Sequence, residues 1–139
     1  MKKLHYTLLF MVCGILLQAQ VIRQKDKWGD ALYYVHGNVI KIKDKWGDAK
    51  YCLDGQTIKY KDTWGEALYY VTATEVKAND KWGKSIYYMD GPTIRLNDRW
   101  GEALYYLDGN TLKRKDKWGD PLYYFETVPS LWIIACLIS

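Results

Sequence analysis

Six tandem copies of an 18-residue unit, each with the two-residue alternation of strands and two glycine-marked turns, make this chain an all-β repeat protein. Trp28, Trp46, Trp64, Trp82, Trp100 and Trp118 fall at that spacing without insertion or deletion, each followed by Gly. An Asp lies two residues before every one of them and a Tyr five residues after. A register this strict describes one small unit repeated, so residues 21–139 form a single domain with repeats over 21–126.

The first strand of each unit is the stretch of the Ile58-Lys59-Tyr60 type, where apolar residues alternate with Lys. The Asp-X-Trp-Gly turn follows, and Asp at its first position with Gly at its fourth is the signature of a type I turn closed by a left-handed glycine. The second strand is the Ala67-Leu68-Tyr69-Tyr70-Val71 stretch. A second turn is marked by Asp54-Gly55, Asp90-Gly91 and Asp108-Gly109, with His36-Gly37 in the same role. Two short strands per unit give about twelve in an antiparallel meander, and glycines this frequent exclude long helices.

An open meander exposes two edges, and closure into a pseudo-sixfold barrel removes both. Closure needs tilted strands, which a drift of about two residues per repeat supplies. Two loop lengths give that drift and turn opposite faces inward. One buries Tyr33, Val35 and Ile40 with their equivalents; the other buries Leu32 and Tyr34 with Ile40. Lys50 and Cys52 stand at the Leu32 and Tyr34 positions of the second repeat. A lumenal charge is costly, so the Tyr33/Val35/Ile40 face is expected to be the core.

At the N-terminus, Lys2 and Lys3, the apolar run Leu8–Leu17 and the exit Gln18-Ala19-Gln20 make residues 1–20 a secretory signal peptide, cut after Ala19 or Gln20. Val12 before Cys13 and Ile15-Leu16-Leu17 after it do not suit lipidation. The chain is therefore expected to be exported, to a periplasmic, cell-surface or secreted location, without a lipid anchor. Losing Lys2 and Lys3 leaves 18 basic against 16 acidic residues, a net +2 in place of the +4 of the full chain, which argues against a nucleic-acid partner.

The C-terminal segment 129–139 carries no charged side chain and is too short to span a bilayer as a helix. Pro129 and Ser130 suit a helix start, and a helix apolar all round must be buried on all sides. The lumen of a twelve-stranded barrel has room for one, so Leu131 to Ile138 are expected to plug it; a membrane-inserting tail and a thirteenth strand are the alternatives.

The rhythm Gly-Asp-Ala-Leu-Tyr-Tyr-Val followed by Gly-Asn-Val-Ile, over roughly residues 21–125, resembles the β-flower proteins, shallow symmetric barrels similar to the C-terminal domain of Tubby proteins. The resemblance implies a barrel, a hydrophobic C-terminal helix threaded through it and an association with membranes, and it brings no catalytic residues. Described β-flower repeats are often fourfold and lack the Trp. Leu-Tyr-Tyr-Leu-Asp-Gly at 104–109 is similar to choline-binding repeats, but Leu104 stands where those carry a Trp of the choline cage.

No nucleophile–base pair, phosphate loop or metal-ligand spacing is visible, so neither an enzyme nor a bound cofactor or metal is expected. Cys52 and Cys136 read as two unrelated thiols. Asp26, Asp44, Asp62, Asp80, Asp98 and Asp116 read as turn-forming residues that bond their own loops. The candidate binding residues are the six Trp with Lys27, Lys45, Lys81, Arg99 and Lys117 before them; Thr63 breaks the series. Either these rings fold back to seal the barrel end, or they form an aromatic crown that meets an anionic lipid surface or an envelope glycan. A second cationic belt, Arg23, Lys41, Lys59, Lys77, Arg95 and Lys113, is expected to be offset by Asp30, Asp48, Glu66, Glu102 and Asp120. The resulting expectation is a non-catalytic, monomeric surface-binding module for membrane lipid at the envelope, with glycan or choline-type binding and a purely structural role as the alternatives.

Overall fold

The computed structural model describes residues 19–139. Twelve strands run in sequence: β1 (Ala19–Gln24), β2 (Ala31–His36), β3 (Val39–Ile42), β4 (Ala49–Asp54), β5 (Thr57–Tyr60) and β6 (Ala67–Val71). The second half repeats the pattern with β7 (Glu75–Ala78), β8 (Ser85–Asp90), β9 (Thr93–Leu96), β10 (Ala103–Asp108), β11 (Thr111–Arg114) and β12 (Pro121–Phe125). Among the described residues there is one helix, α1 (Leu131–Ile138), near the C-terminus. The signal segment and Cys13 fall within residues 1–18, outside the described residues. β1 begins at Ala19, where Ala19 and Gln20 pair with His36 and Val35, two residues before the boundary drawn from the sequence.

Each strand pairs antiparallel with the next, and β12 returns to β1 through Ile22–Phe125, so the sheet closes with no free edge. Ile22 stands opposite Tyr33, and Tyr33 opposite Ile42, whereas the repeat equivalent of Ile22 is Ile40. The hydrogen-bonded layer therefore climbs two residues per repeat, the stagger that tilts strands in a closed barrel. A bulge in every Trp-bearing hairpin accompanies it, at Leu32, Lys50, Leu68, Ile86, Leu104 and Leu122.

The second turn of each of the first five repeats is tight. His36–Val39 closes a two-residue loop in which Gly37 takes φ +60, and Gly55, Gly91 and Gly109 do the same. The third repeat has no glycine there: Thr72 Oγ1 accepts the Glu75 N–H at 2.9 Å and shapes the loop instead.

In the Trp turns, the left-handed residue is not the glycine. It is the residue before the Asp: Lys25, Lys43, Lys61, Asn79, Asn97 or Lys115, at φ 63–70. Gly29 is needed for a different reason, since a Cβ there would stand 1.7 Å from the Gln24 carbonyl oxygen.

The lumen holds α1. Leu131 to Cys136 are buried against Ile22, Val35, Ile40, Ile58, Val76, Ile94, Leu112 and Phe125, and the six tyrosines Tyr33, Tyr51, Tyr69, Tyr87, Tyr105 and Tyr123 pack on the same cluster. The plug and the Tyr33/Val35/Ile40 face thus stand as expected from the sequence, and a thirteenth strand does not form. Cys52 and Cys136 are both free, the first outside that cluster and the second inside the helix.

Candidate functional site

Because the meander alternates direction, the six Trp turns all emerge at one end of the barrel, and the glycine turns, with the entry to α1, lie at the other. Each Trp turn is held by three local devices. Asp26 Oδ1 accepts the Trp28 N–H at 2.9 Å, and the bond recurs at the same length for Asp44, Asp62, Asp80, Asp98 and Asp116. The Gly29 N–H closes the turn on the Asp26 carbonyl at 2.9 Å. The left-handed Lys25 then donates its N–H to the carbonyl of Leu122 on the neighbouring hairpin at 3.0 Å, and Lys43 does the same to Leu32 at 2.8 Å.

The cationic belt is a fourth brace. Lys41, Lys59, Lys77 and Lys113 donate Nζ to the carbonyl of the residue before the Trp, at 2.9–3.2 Å. Arg23 and Arg95 donate instead to the Gly29 and Gly101 carbonyls. Its acidic partners differ from those expected. Lys59, Arg95 and Lys113 pair with Asp54, Asp90 and Asp108 at 2.8–3.1 Å, which come from the opposite turns. The reason is register: Tyr51–Tyr60 and Asp54–Thr57 set Lys59 one strand from Asp54, on the outward face. The acids after the Trp turns, Asp30 and its equivalents, make no ion pair among the described residues.

The rings themselves do not seal the barrel. They are 81–93% exposed, which removes the packing alternative. Lys27, Lys45, Lys81 and Lys117 place Nζ 5.0–5.1 Å from the ring centre of the following Trp, and the Arg99 guanidinium lies 4.8 Å from that of Trp100. These contacts contribute roughly 0.5–1 kcal/mol each at exposed sites. Trp64, preceded by Thr63, has no such cover and is the most exposed at 93%. Successive turns are two strands apart, so neighbouring rings start about 10 Å from one another along the wall.

Inside the crown lies a second ring that sequence reasoning missed. Gln24, Ile42, Tyr60, Ala78, Leu96 and Arg114 end the odd-numbered strands two residues beyond the buried Ile22, Ile40 and their equivalents. Ile42, Tyr60 and Leu96 are exposed. The signal was available in the strand alternation, which gives these residues lumenal parity beyond the last buried layer. Among the described residues, nine of the ten exposed large hydrophobics lie at this end, and Val128 does not.

Lys50 also sits at this mouth. As the bulge residue it shares a side with Tyr51, and its Nζ lies 5.4 Å from the ring centres of Tyr33 and Tyr51 and 3.5 Å from Tyr33 Oη. The premise that a charge at this position must face away from the lumenal side is therefore corrected: the bulge turns it to the tyrosines, and the open mouth keeps it partly solvated. Burial alone would lower its pKa, but Tyr33 and Tyr51 outweigh that and leave it above the ordinary lysine value. Burial pushes the Cys136 thiol up to about 12 in spite of Lys50.

Among the described residues, no group of three or more His, Cys, Asp or Glu side chains could hold a metal ion, and no helix is long and apolar enough to cross a membrane. Compared with protein-family models, with curated proteins and with solved structures, the chain matches none.

Proposed function

We propose that this chain is a non-catalytic, exported binding module that sets its Trp-bearing end into the interfacial layer of a lipid membrane at the cell envelope. The observation that supports it is the concentration of exposed large apolar side chains, among the described residues, at one end. Nine of ten exposed large hydrophobics share it, while the wall carries Lys, Arg and Asp. Contiguous exposed apolar area on a single protein marks an interaction surface. Indole rings with an N–H at the edge suit the headgroup layer, where one side is apolar and the other wet.

Six like contacts in a ring suit a broad planar partner, because each adds to the effective concentration of the next. The cations stacked on five of the rings favour anionic headgroups over neutral ones. Export rests on the N-terminal sequence alone. Flotation with phosphatidylcholine vesicles, with and without phosphatidylglycerol, tests the reading. Binding should shift Trp emission to the blue, and rising salt should weaken it only in part, because the Lys component is screened and the aromatic component is not. Absence of vesicle binding, with retention on a peptidoglycan or polysaccharide matrix insensitive to salt, would replace lipid by glycan.

A further inference from the structure

We infer that the mouth of the barrel, inside the Trp crown, is a binding site for the anionic head and upper chain of a single long-chain amphiphile of the fatty-acid type. The inference deepens the membrane reading and rests on it for its biological setting, but it concerns different residues.

A cavity of about 350 Å³ opens there between the end of the plug and one sector of the wall. Leu32, Leu122, Leu137 and Ile138 form its apolar lining, Tyr105 and Tyr123 add their rings, and Gln24 and Arg114 make its polar edge. That volume lies at the small end of ligand sites, enough for one chain end and head and not for a whole two-chain lipid. The Arg114 guanidinium has no hydrogen-bond or ion partner among the described residues and belongs to an exposed residue at the strand end.

The polar groups are gathered on one side. At the six equivalent mouth positions the other residues are Ile42, Tyr60, Ala78 and Leu96, and at the six bulges all but Lys50 are Leu or Ile. The three departures, Gln24, Lys50 and Arg114, fall on β1, β4 and β11, within the half of the barrel that runs from β11 through the β12–β1 seam to β4. Lys50 stands over the Tyr33 and Tyr51 rings and does not itself line the cavity, which Tyr123 does. The opposite sector, β5 to β9, presents Tyr60, Leu68, Ala78, Ile86 and Leu96.

An unpaired guanidinium and a carboxamide on the rim of one cavity recognise a carboxylate or phosphate oxygen through charge-assisted hydrogen bonds. The leucines, the plug end and the tyrosine rings offer the rest of the cavity to an apolar chain. A free inorganic anion would use the first feature and leave the second in contact with water. The two together select a molecule with both parts.

The test uses dansylaminoundecanoate below its micellar concentration, with the full chain. One probe per chain should bind saturably. Arg114→Gln should weaken it roughly tenfold or more, the scale of a lost charge-assisted bond, with Arg114→Lys recovering part. The methyl ester of the probe should lose affinity by a similar factor, and Ile138→Trp should obstruct the cavity. Equal binding by Arg114→Gln, displacement of the probe by millimolar inorganic phosphate, or loss of binding on Trp28→Ala instead would overturn the assignment.

Vesicle flotation separates the two proposals. Probe binding without vesicle binding removes the membrane reading and leaves this site standing. Vesicle binding without saturable probe binding does the reverse.

Discussion

Asp62 Oδ1 and the Trp64 amide nitrogen are 2.9 Å apart, in the turn that carries the most exposed of the six Trp rings. The carboxylate spans two residues and leaves the indole with no neighbour to fold onto. Asp62→Asn keeps an acceptor oxygen in the same place, whereas Asp62→Ala removes it. Urea denaturation should show Asp62→Ala destabilised by about 0.5–1.5 kcal/mol and Asp62→Asn by less, with unchanged slope. Equal loss in both would mean that charge and not the turn bond matters.

Two glycines at the opposite ends of strand β5, one in each kind of turn, should respond differently to alanine. At Gly55 the backbone is left-handed at φ +66, but nothing lies within 4 Å of an added Cβ, so Gly55→Ala should cost roughly the 1–2 kcal/mol of a left-handed alanine. At Gly65 a Cβ would stand 1.7 Å from the Tyr60 carbonyl oxygen, and backbone cannot step aside as a side chain can. Gly65→Ala should therefore lower the thermal midpoint further than Gly55→Ala.

Closure, strand number, inward face and plug were legible because each follows from a periodicity or from a segment with no charge. What escaped were features that depend on where neighbouring hairpins meet. The left-handed φ of Lys25 exists because its N–H must reach Leu122 across the hairpin, and no local signal marks that. The bulge that turns Lys50 onto Tyr33 and Tyr51 is a consequence of stagger, invisible to simple alternation. The pairing of Lys59 with Asp54 instead of Glu66 needs the register, which turn geometry sets. Exposure of the Trp rings depends on how far the turns project beyond the last paired layer.

The plug should be the main determinant of stability. Ile134 is fully buried between helix and wall, so Ile134→Ala should cost about 2–5 kcal/mol. Deleting 129–139 leaves ten core wall positions facing an empty lumen and should abolish cooperative unfolding or solubility. A truncated chain that remains soluble with an unchanged midpoint would show that the wall is stable alone.

Stability should fall on the alkaline side. The folded Cys136 thiol is raised from 9.0 to about 12 by burial, and burial likewise raises Tyr51, Tyr87 and Tyr123 above their ordinary value of 10.0. In the unfolded chain these groups ionise first, so it binds fewer protons and is favoured as pH rises. Their contribution is complete below about pH 9 and is lost progressively towards pH 12. Urea midpoints at pH 8 and pH 10.5 should show the loss, reduced in Cys136→Ala. At pH 8 the native Cys136 should resist alkylation and react once the protein is unfolded.

The Trp crown should follow a dosage rule. A ring exposed by 81% or more contributes little to packing, so replacing Trp28, Trp64 and Trp100 singly or together with Ala should leave the thermal midpoint nearly unchanged. Membrane affinity should behave otherwise. If each ring buries ~50–100 Å² in the headgroup layer, the gain is roughly 1–2 kcal/mol, about a factor of 5–30 per Trp. Losses should therefore multiply and not merely add, until a triple variant no longer floats with vesicles. Trp64 makes an internal control, because it lacks the cation that covers the other five rings. Losing it should lower affinity without changing the salt dependence, whereas Lys45→Ala should reduce the salt dependence and leave the blue shift of emission. If single Trp variants bind vesicles as well as the parent, and an aqueous quencher reaches all six rings with lipid present, the rim does not enter the membrane.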